Sequence, residues 1–175
     1  MKAPPPPTII RYGLAQTRHG PVFVAATPRG VCMLQIIGPN EIPAALAEAE
    51  KLVPGCELVE DADALDGVFR QIEVVVEGGA PAPVRLDLRG TAFQRKVWAA
   101  LQKVKRGATA TYSELARRAG VPGSVRAVAS ACAQNPVSLF VPCHRIVRRD
   151  GGLGGYRWGL DRKRDLLRRE RVRAR

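Results

Sequence analysis

The 175-residue chain can bury roughly 70% of its unfolded surface, so it needs neither disulfide nor metal to fold. No apolar run nears the roughly 18 residues of a membrane span, and Met1-Lys2-Ala3 followed by Pro4 to Pro7 lacks the apolar stretch of a signal peptide. The net charge of +12 is lopsided: residues 1–90 hold 8 basic and 11 acidic side chains (net −3) and residues 91–175 hold 20 and 5 (net +15), which points to an anionic polymer, nucleic acid first.

In chain order, residues 1–7 read as a flexible Pro-rich tail. Ile9 to Ala15, Val22 to Thr27 and Val31 to Ile37 are apolar-rich segments separated by His19-Gly20-Pro21 and Pro28-Arg29-Gly30, the pattern of an antiparallel meander. Asn40 is placed to cap a helix running to Leu52, with Ile42, Leu46 and Ala49 at helical spacing. Asp63 to Glu77 repeats that spacing through Leu65, Phe69, Ile72 and Val76. Gly78 to Pro83 is a linker by composition, and Val84 to Leu88 alternates like a closing strand. Residues 8–90 are therefore expected to form an α/β domain, a small antiparallel sheet plus helices.

From residue 91 the pattern turns mostly helical. Thr91-Ala-Phe-Gln94 is a capping box ahead of Phe93, Val97, Leu101 and Val104. Thr111-Tyr-Ser-Glu114 is a second, opening a short helix that Gly120 stops. After Val121-Pro122-Gly123, Ser124 is placed to cap a helix to about Gln134. Helix, short turn, helix is the helix-turn-helix arrangement. Leu139 to Val141 reads as a buried strand leading into Pro142-Cys143-His144-Arg145. A Gly-rich loop follows, then a terminal helix over roughly Leu160 to Arg171. Residues 91–175 are expected to be one mostly α domain.

Three groups could do chemistry. The four cysteines (Cys32, Cys56, Cys132, Cys143) and two histidines (His19, His144) make no zinc spacing, so no metal site is expected and the thiols read as reduced, in the cytoplasm. Cys143 stands apart because His144 and Arg145 follow it, a setting that favours thiolate. Adjacent side chains of an extended chain diverge, so Cys143 and His144 need a sharp turn or a bridging water to exchange a proton. Glu170 shares the apolar edge of the terminal helix with Leu166 and Leu167. It can pair with an arginine or accept a bond from His144. Finally, Arg126 projects from a helix of small residues: it is either an ordinary surface cation or part of a helix that approaches DNA closely.

Pro142-Cys-His-Arg-Ile-Val147 resembles the signature of the O6-alkylguanine-DNA alkyltransferases. Thr91 to Trp98, Thr111-Tyr-Ser113, Arg126 to Ser130, Asn135-Pro136 and Gly155 to Gly159 resemble further blocks of that family in the same order. Together they cover nearly all of residues 91–175, most closely in the manner of the bacterial adaptive-response branch.

The resemblance implies a ribonuclease-H-like first domain and irreversible transfer of an alkyl group from O6 of guanine to Cys143, once per molecule. His144 would take the thiol proton through a water, Glu170 would orient His144, Tyr112 would give a proton to the leaving guanine, and Asn135 would brace the turn. Arg126 would fill the stack after the base flips out. Tyr112, Ser124, Ala127, Ala129 and Arg145 would join it against the minor groove of double-stranded DNA. Pro142, Ile146, Tyr156, Arg157 and Trp158 would wall the pocket. A monomer is expected. The upstream zinc domain of the adaptive-response branch has no counterpart in these residues, so repair without a regulatory role is the expectation unless the chain is a fragment of a longer protein. The competing classes are a DNA-binding module without chemistry, which leaves the Cys-His pair unexplained, and a cysteine hydrolase, which leaves the basic charge unexplained. On this reading the first half is a scaffold with little direct part in binding.

Overall fold

The computed structural model describes residues 7–171; most of the expected Pro-rich tail lies outside them. Strands β1 (Ile9–Thr17), β2 (Gly20–Thr27) and β3 (Gly30–Ile36) form the expected meander. The sheet is nevertheless mixed: a fourth strand, β4 (Glu57–Glu60), pairs parallel with β1, Ile9 opposite Glu57, giving the order β3-β2-β1-β4. Four residues with no buried side chain carry no periodic signal, so this edge was invisible in the sequence.

The central strand β2 is buried on both faces. Phe23 and Ala25 point one way, toward Ile10, Met33, Ala45 and Ala49 under helix α1 (Ile42–Leu52). Val22 and Val24 point the other way. This period of two, with both faces covered, explains an almost continuous apolar run. Helix α1 begins after Glu41, with Pro43 in its first turn, so Asn40 is not its cap. Proline needs no backbone partner there.

Val22, Val24, Leu34 and Ile36 belong to the same core as α2 (Asp66–Val76), α3 (Ala92–Gln102), α4 (Tyr112–Arg118) and α5 (Val125–Ala133). The two halves of the sequence thus share one apolar interior. Both capping boxes form as read: Thr91 Oγ1 accepts from the Gln94 amide and Gln94 Oε1 from the Thr91 amide, and Thr111 and Glu114 repeat the exchange. Gly120 closes α4 with φ +73°, where a side chain would be strained. Ser124 precedes α5 without a capping hydrogen bond from its side chain. The Trp98 indole N–H, donating to the Ala131 carbonyl at 2.9 Å, fastens α5 to α3.

Two expected strands are absent. Val84 to Leu88 makes one isolated parallel bridge, Leu86 with Val31: two backbone bonds at Val31 and the Thr27 hydroxyl donating to Asp87 hold it against the sheet without a continuing ladder. Leu139 and Val141 are buried with Phe140 partly so, but the segment is coiled. Leu139 sits at φ +69°, and the Phe140 and Val141 amides donate back to Ser138 and Val137. The terminal helix α6 (Leu160–Arg169) ends one residue before Glu170.

Candidate functional site

The Pro142-Cys-His-Arg segment needed a sharp turn, and it has one: a single 3-10 turn over Cys143–Arg145. The turn leads into β6 (Ile146–Val147), which pairs parallel with β5 (Ala110–Thr111), immediately ahead of α4. That short pairing sets the first residue of α4, Tyr112, near Cys143, and both line a cavity of about 440 Å³.

Asn135, fully buried, holds the turn from the other side. Its Nδ2 donates to the Val141 carbonyl at 2.8 Å and to Cys143 Sγ at 3.4 Å, and its Oδ1 accepts from the Val137 amide at 3.0 Å. Every polar atom of the amide is used, so its orientation is fixed by the network.

His144 is wholly buried, and its Nε2 lies 2.9 Å from Glu170 Oε1. An ionised carboxylate only accepts, so Nε2 carries the proton and Nδ1 is the basic atom. Nδ1 has no protein partner. Both alternatives raised for Glu170 hold at once: Arg145 donates to the same carboxylate, Nη2 to Oε1 at 2.8 Å and Nε to Oε2 at 2.9 Å, and its Nη1 donates to the Val104 carbonyl. Burial pushes the Glu170 carboxyl up, but the bonds and charges of His144 and Arg145 outweigh it and hold it at about 2.

This geometry corrects two expectations. Arg145 faces inward, spent on Glu170 and Val104, and leaves the DNA-facing set. Nor does its charge lower the thiol: burial pushes Cys143 up from its ordinary value, beyond what Asn135 and Lys163 offset. Burial also pulls His144 below 6.5 despite Glu170. At rest the pair is a neutral thiol beside a neutral imidazole.

The cavity is lined by Tyr112, Cys143, Tyr156, Arg157 and Trp158, with Ala129 and Cys132 contributed by α5. Pro142 and Ile146 do not line it; Ile146 is packed in the core, and Pro142 faces a separate groove with Arg145. Burial raises the Tyr112 phenol, which keeps it a proton donor at neutral pH. Arg126, Ala127 and Ser130 are exposed along α5, and Arg117 and Arg118 along α4.

One buried cation escaped the sequence reading. Lys163 Nζ donates to the carbonyls of Ile146 (2.5 Å) and Gly155 (3.2 Å), tying the exit of the reactive turn to the cavity loop. Burial lowers it to about 8. Positions 163, 166, 167 and 170 make one helical stripe, so the period that placed Glu170 inward placed Lys163 there too.

With this arrangement in view, comparisons with known proteins are decisive. Residues 92–172 match the family described as "6-O-methylguanine DNA methyltransferase, DNA binding domain". The chain is 44% identical over 115 residues to the methylated-DNA--protein-cysteine methyltransferase of Mycobacterium bovis, covering 65% of this chain and 70% of that one. The chain belongs to this family. It is also 42% identical over 166 residues to the bifunctional transcriptional activator/DNA repair enzyme Ada of Escherichia coli, 92% of this chain but 45% of Ada. It thus spans about half the length of the Ada proteins it matches. Among solved structures of this alkyltransferase family, Mycobacterium tuberculosis O6-methylguanine methyltransferase is similar at a TM-score of 0.78 and 33% identity, covering 95% of each chain. The M. tuberculosis OGT solved in complex with DNA is similar at 0.77 and 33%, covering 95% and 94%. Among the described residues no helix is long and apolar enough to cross a membrane, and no three His, Cys, Asp or Glu gather as a metal site.

Proposed function

We propose that this protein repairs DNA by direct reversal, transferring the alkyl group of O6-alkylguanine to Cys143 in one irreversible event. The observation that carries the reading is a nucleophile, Cys143, opening onto a cavity beside a base, His144, whose other nitrogen is held by a buried carboxylate, Glu170.

The Cys143 thiol gives its proton to His144 Nδ1, directly or through a water. The Sγ lone pair forms the bond to the alkyl carbon, the carbon–O6 pair leaves with guanine, and Tyr112 supplies the proton the departing base takes. His144 becomes cationic only while the thiolate exists, and the Glu170 carboxylate is already in place to stabilise that charge. No cofactor enters this balance.

The partner on this reading is double-stranded DNA. The exposed face of α5 is small-sided, with Ser124, Ala127 and Ala129 against the minor groove, and Arg126 enters the stack as the damaged base leaves it. The α4–α5 pair acts as a helix-turn-helix. Residues 8–90 form a ribonuclease-H-like domain and 91–175 the DNA-binding and acceptor domain of a cytoplasmic monomer. The test is mass spectrometry after mixing with a duplex carrying O6-methylguanine. One methyl per chain, on the Cys143 peptide, is expected; an adduct on Cys132, or none, overturns the assignment.

A further inference from the structure

Arg157 and Trp158 wall two cavities at once. One is the 440 Å³ cavity of Cys143. The other, of about 500 Å³, lies toward the first half of the chain and is lined by Gln35, Glu41, Glu48 and Arg162 among others. The segment carrying Tyr156 to Gly159 is thus a partition with space on both sides. On the Cys143 side, Trp158 meets the Tyr156 ring edge-on, centroids 5.1 Å apart. Its indole is braced by Arg157, whose guanidinium carbon lies 5.9 Å from the indole centroid. Arg157 in turn is gripped from across the second cavity: its Nη2 and Nη1 donate to the two carboxylate oxygens of Glu48 at 2.9 and 3.3 Å. Glu48 sits on α1, in the half of the molecule that carries none of the reactive groups. The pair is about two-fifths exposed at each end, so it is a modest clamp rather than a rigid weld.

A flipped base and its alkyl substituent must share the first cavity. The position of its Trp158 wall therefore limits how large the substituent is. We propose that Glu48 is a positioning residue for alkyl-group size: through Arg157 it holds Trp158 forward against the Cys143 cavity, and without that ion pair Trp158 settles back into the second cavity and admits bulkier groups. This inference rests on the alkyl-transfer reading. It gives the first half of the chain a part in selecting the substrate that its charge did not suggest.

The experiment compares single-turnover rates on two duplexes, one carrying O6-methylguanine and one O6-benzylguanine, for wild type, Glu48→Gln, Glu48→Lys and Glu41→Gln. Glu41 lines the same second cavity but bonds the Gly38 amide instead of Arg157, so it controls for general loosening of that cavity. The benzyl-to-methyl rate ratio should rise about two- to fivefold in Glu48→Gln, the span a half-exposed ion pair supports. It should rise further in Glu48→Lys, where Arg157 is repelled, and stay at the wild-type value in Glu41→Gln. A ratio unchanged in both Glu48 variants, or raised equally in Glu41→Gln, overturns the proposal. A wild-type protein that transfers neither group overturns the alkyl-transfer reading itself, and this inference with it.

Discussion

His144 Nε2 and Glu170 Oε1 are 2.9 Å apart, in a site where both side chains are almost completely buried and Arg145 shares the carboxylate. The contact joins the reactive turn to the end of the last helix. Glu170→Gln replaces a charge that accepts from two residues with a neutral amide, which keeps one acceptor oxygen and turns an NH2 toward donors already in place. We expect a loss of about 3 kcal/mol of stability, as for breaking a buried ionic network from one side, measured by urea unfolding. We also expect the transfer rate to fall about tenfold or more, since the imidazolium formed during transfer loses its counter-charge.

The same carboxylate sets the acid limit of the fold. Its folded value of about 2 lies below the ordinary 4.5, so its contribution is fully present above about pH 4.5 and is lost as the pH falls toward 2. Wild-type stability should decline across that window, and Glu170→Gln should show a flatter profile there by chemical denaturation at stepped pH.

The reaction itself should titrate as a base. Transfer requires neutral His144, whose value is lowered from 6.5, and begins from a thiol raised above 9.0. The single-turnover rate should therefore be flat from about pH 7 to pH 8.5 and fall only below about 6.5 as His144 protonates. A rate that climbs steeply through pH 7 to 8.5 would mean that free thiolate, not the His144-assisted thiol, is the reactive form.

Removing the brace should loosen the turn and the nucleophile together. Asn135→Ala deletes bonds to Val141 O, Val137 N and Cys143 Sγ, leaving the buried Val137 amide without its acceptor and the Val141 carbonyl with the Cys143 amide alone. A cost of about 2–4 kcal/mol in urea unfolding is expected. The transfer rate at a temperature where the variant is still folded should drop as well.

Arg126 should matter for duplex substrate alone. It is exposed near the start of α5 and has no part in the cavity. Arg126→Ala is expected to slow repair of O6-methylguanine in duplex by about tenfold, because an extruded base leaves an unfilled stack worth a few kcal/mol. Reaction with the free base O6-benzylguanine should be unchanged; equal loss on both would remove Arg126 from base extrusion.

What the sequence made legible were features that are local. Thr91 with Gln94 and Thr111 with Glu114 state their helix starts within four residues, and the spacing of Leu166, Leu167 and Glu170 states a buried face. What it hid depends on distant partners. Strand β4 exists because β1 has a free edge for it. Leu139 to Val141 is as apolar as a strand, but Leu139 takes a left-handed conformation so that the chain can curl under Asn135. The direction of Arg145 could not be read from its place beside His144, since Glu170 and Val104, which capture it, lie 25 and 41 positions away. For the same reason the thiol's neighbours in sequence suggested an activated thiolate, whereas its neighbours in space keep it protonated.

Leu34, at the middle of β3, donates its amide to the Pro136 carbonyl and accepts from the Ser138 amide, both at 2.9 Å. The segment between Asn135 and the reactive turn is in this way an extra rung on the edge of the sheet. Opening events that expose the Ser138 amide must also break the edge of β3, so the two should share one slow hydrogen-exchange class. The nucleophile's turn is then as durable as the edge of the sheet that carries it.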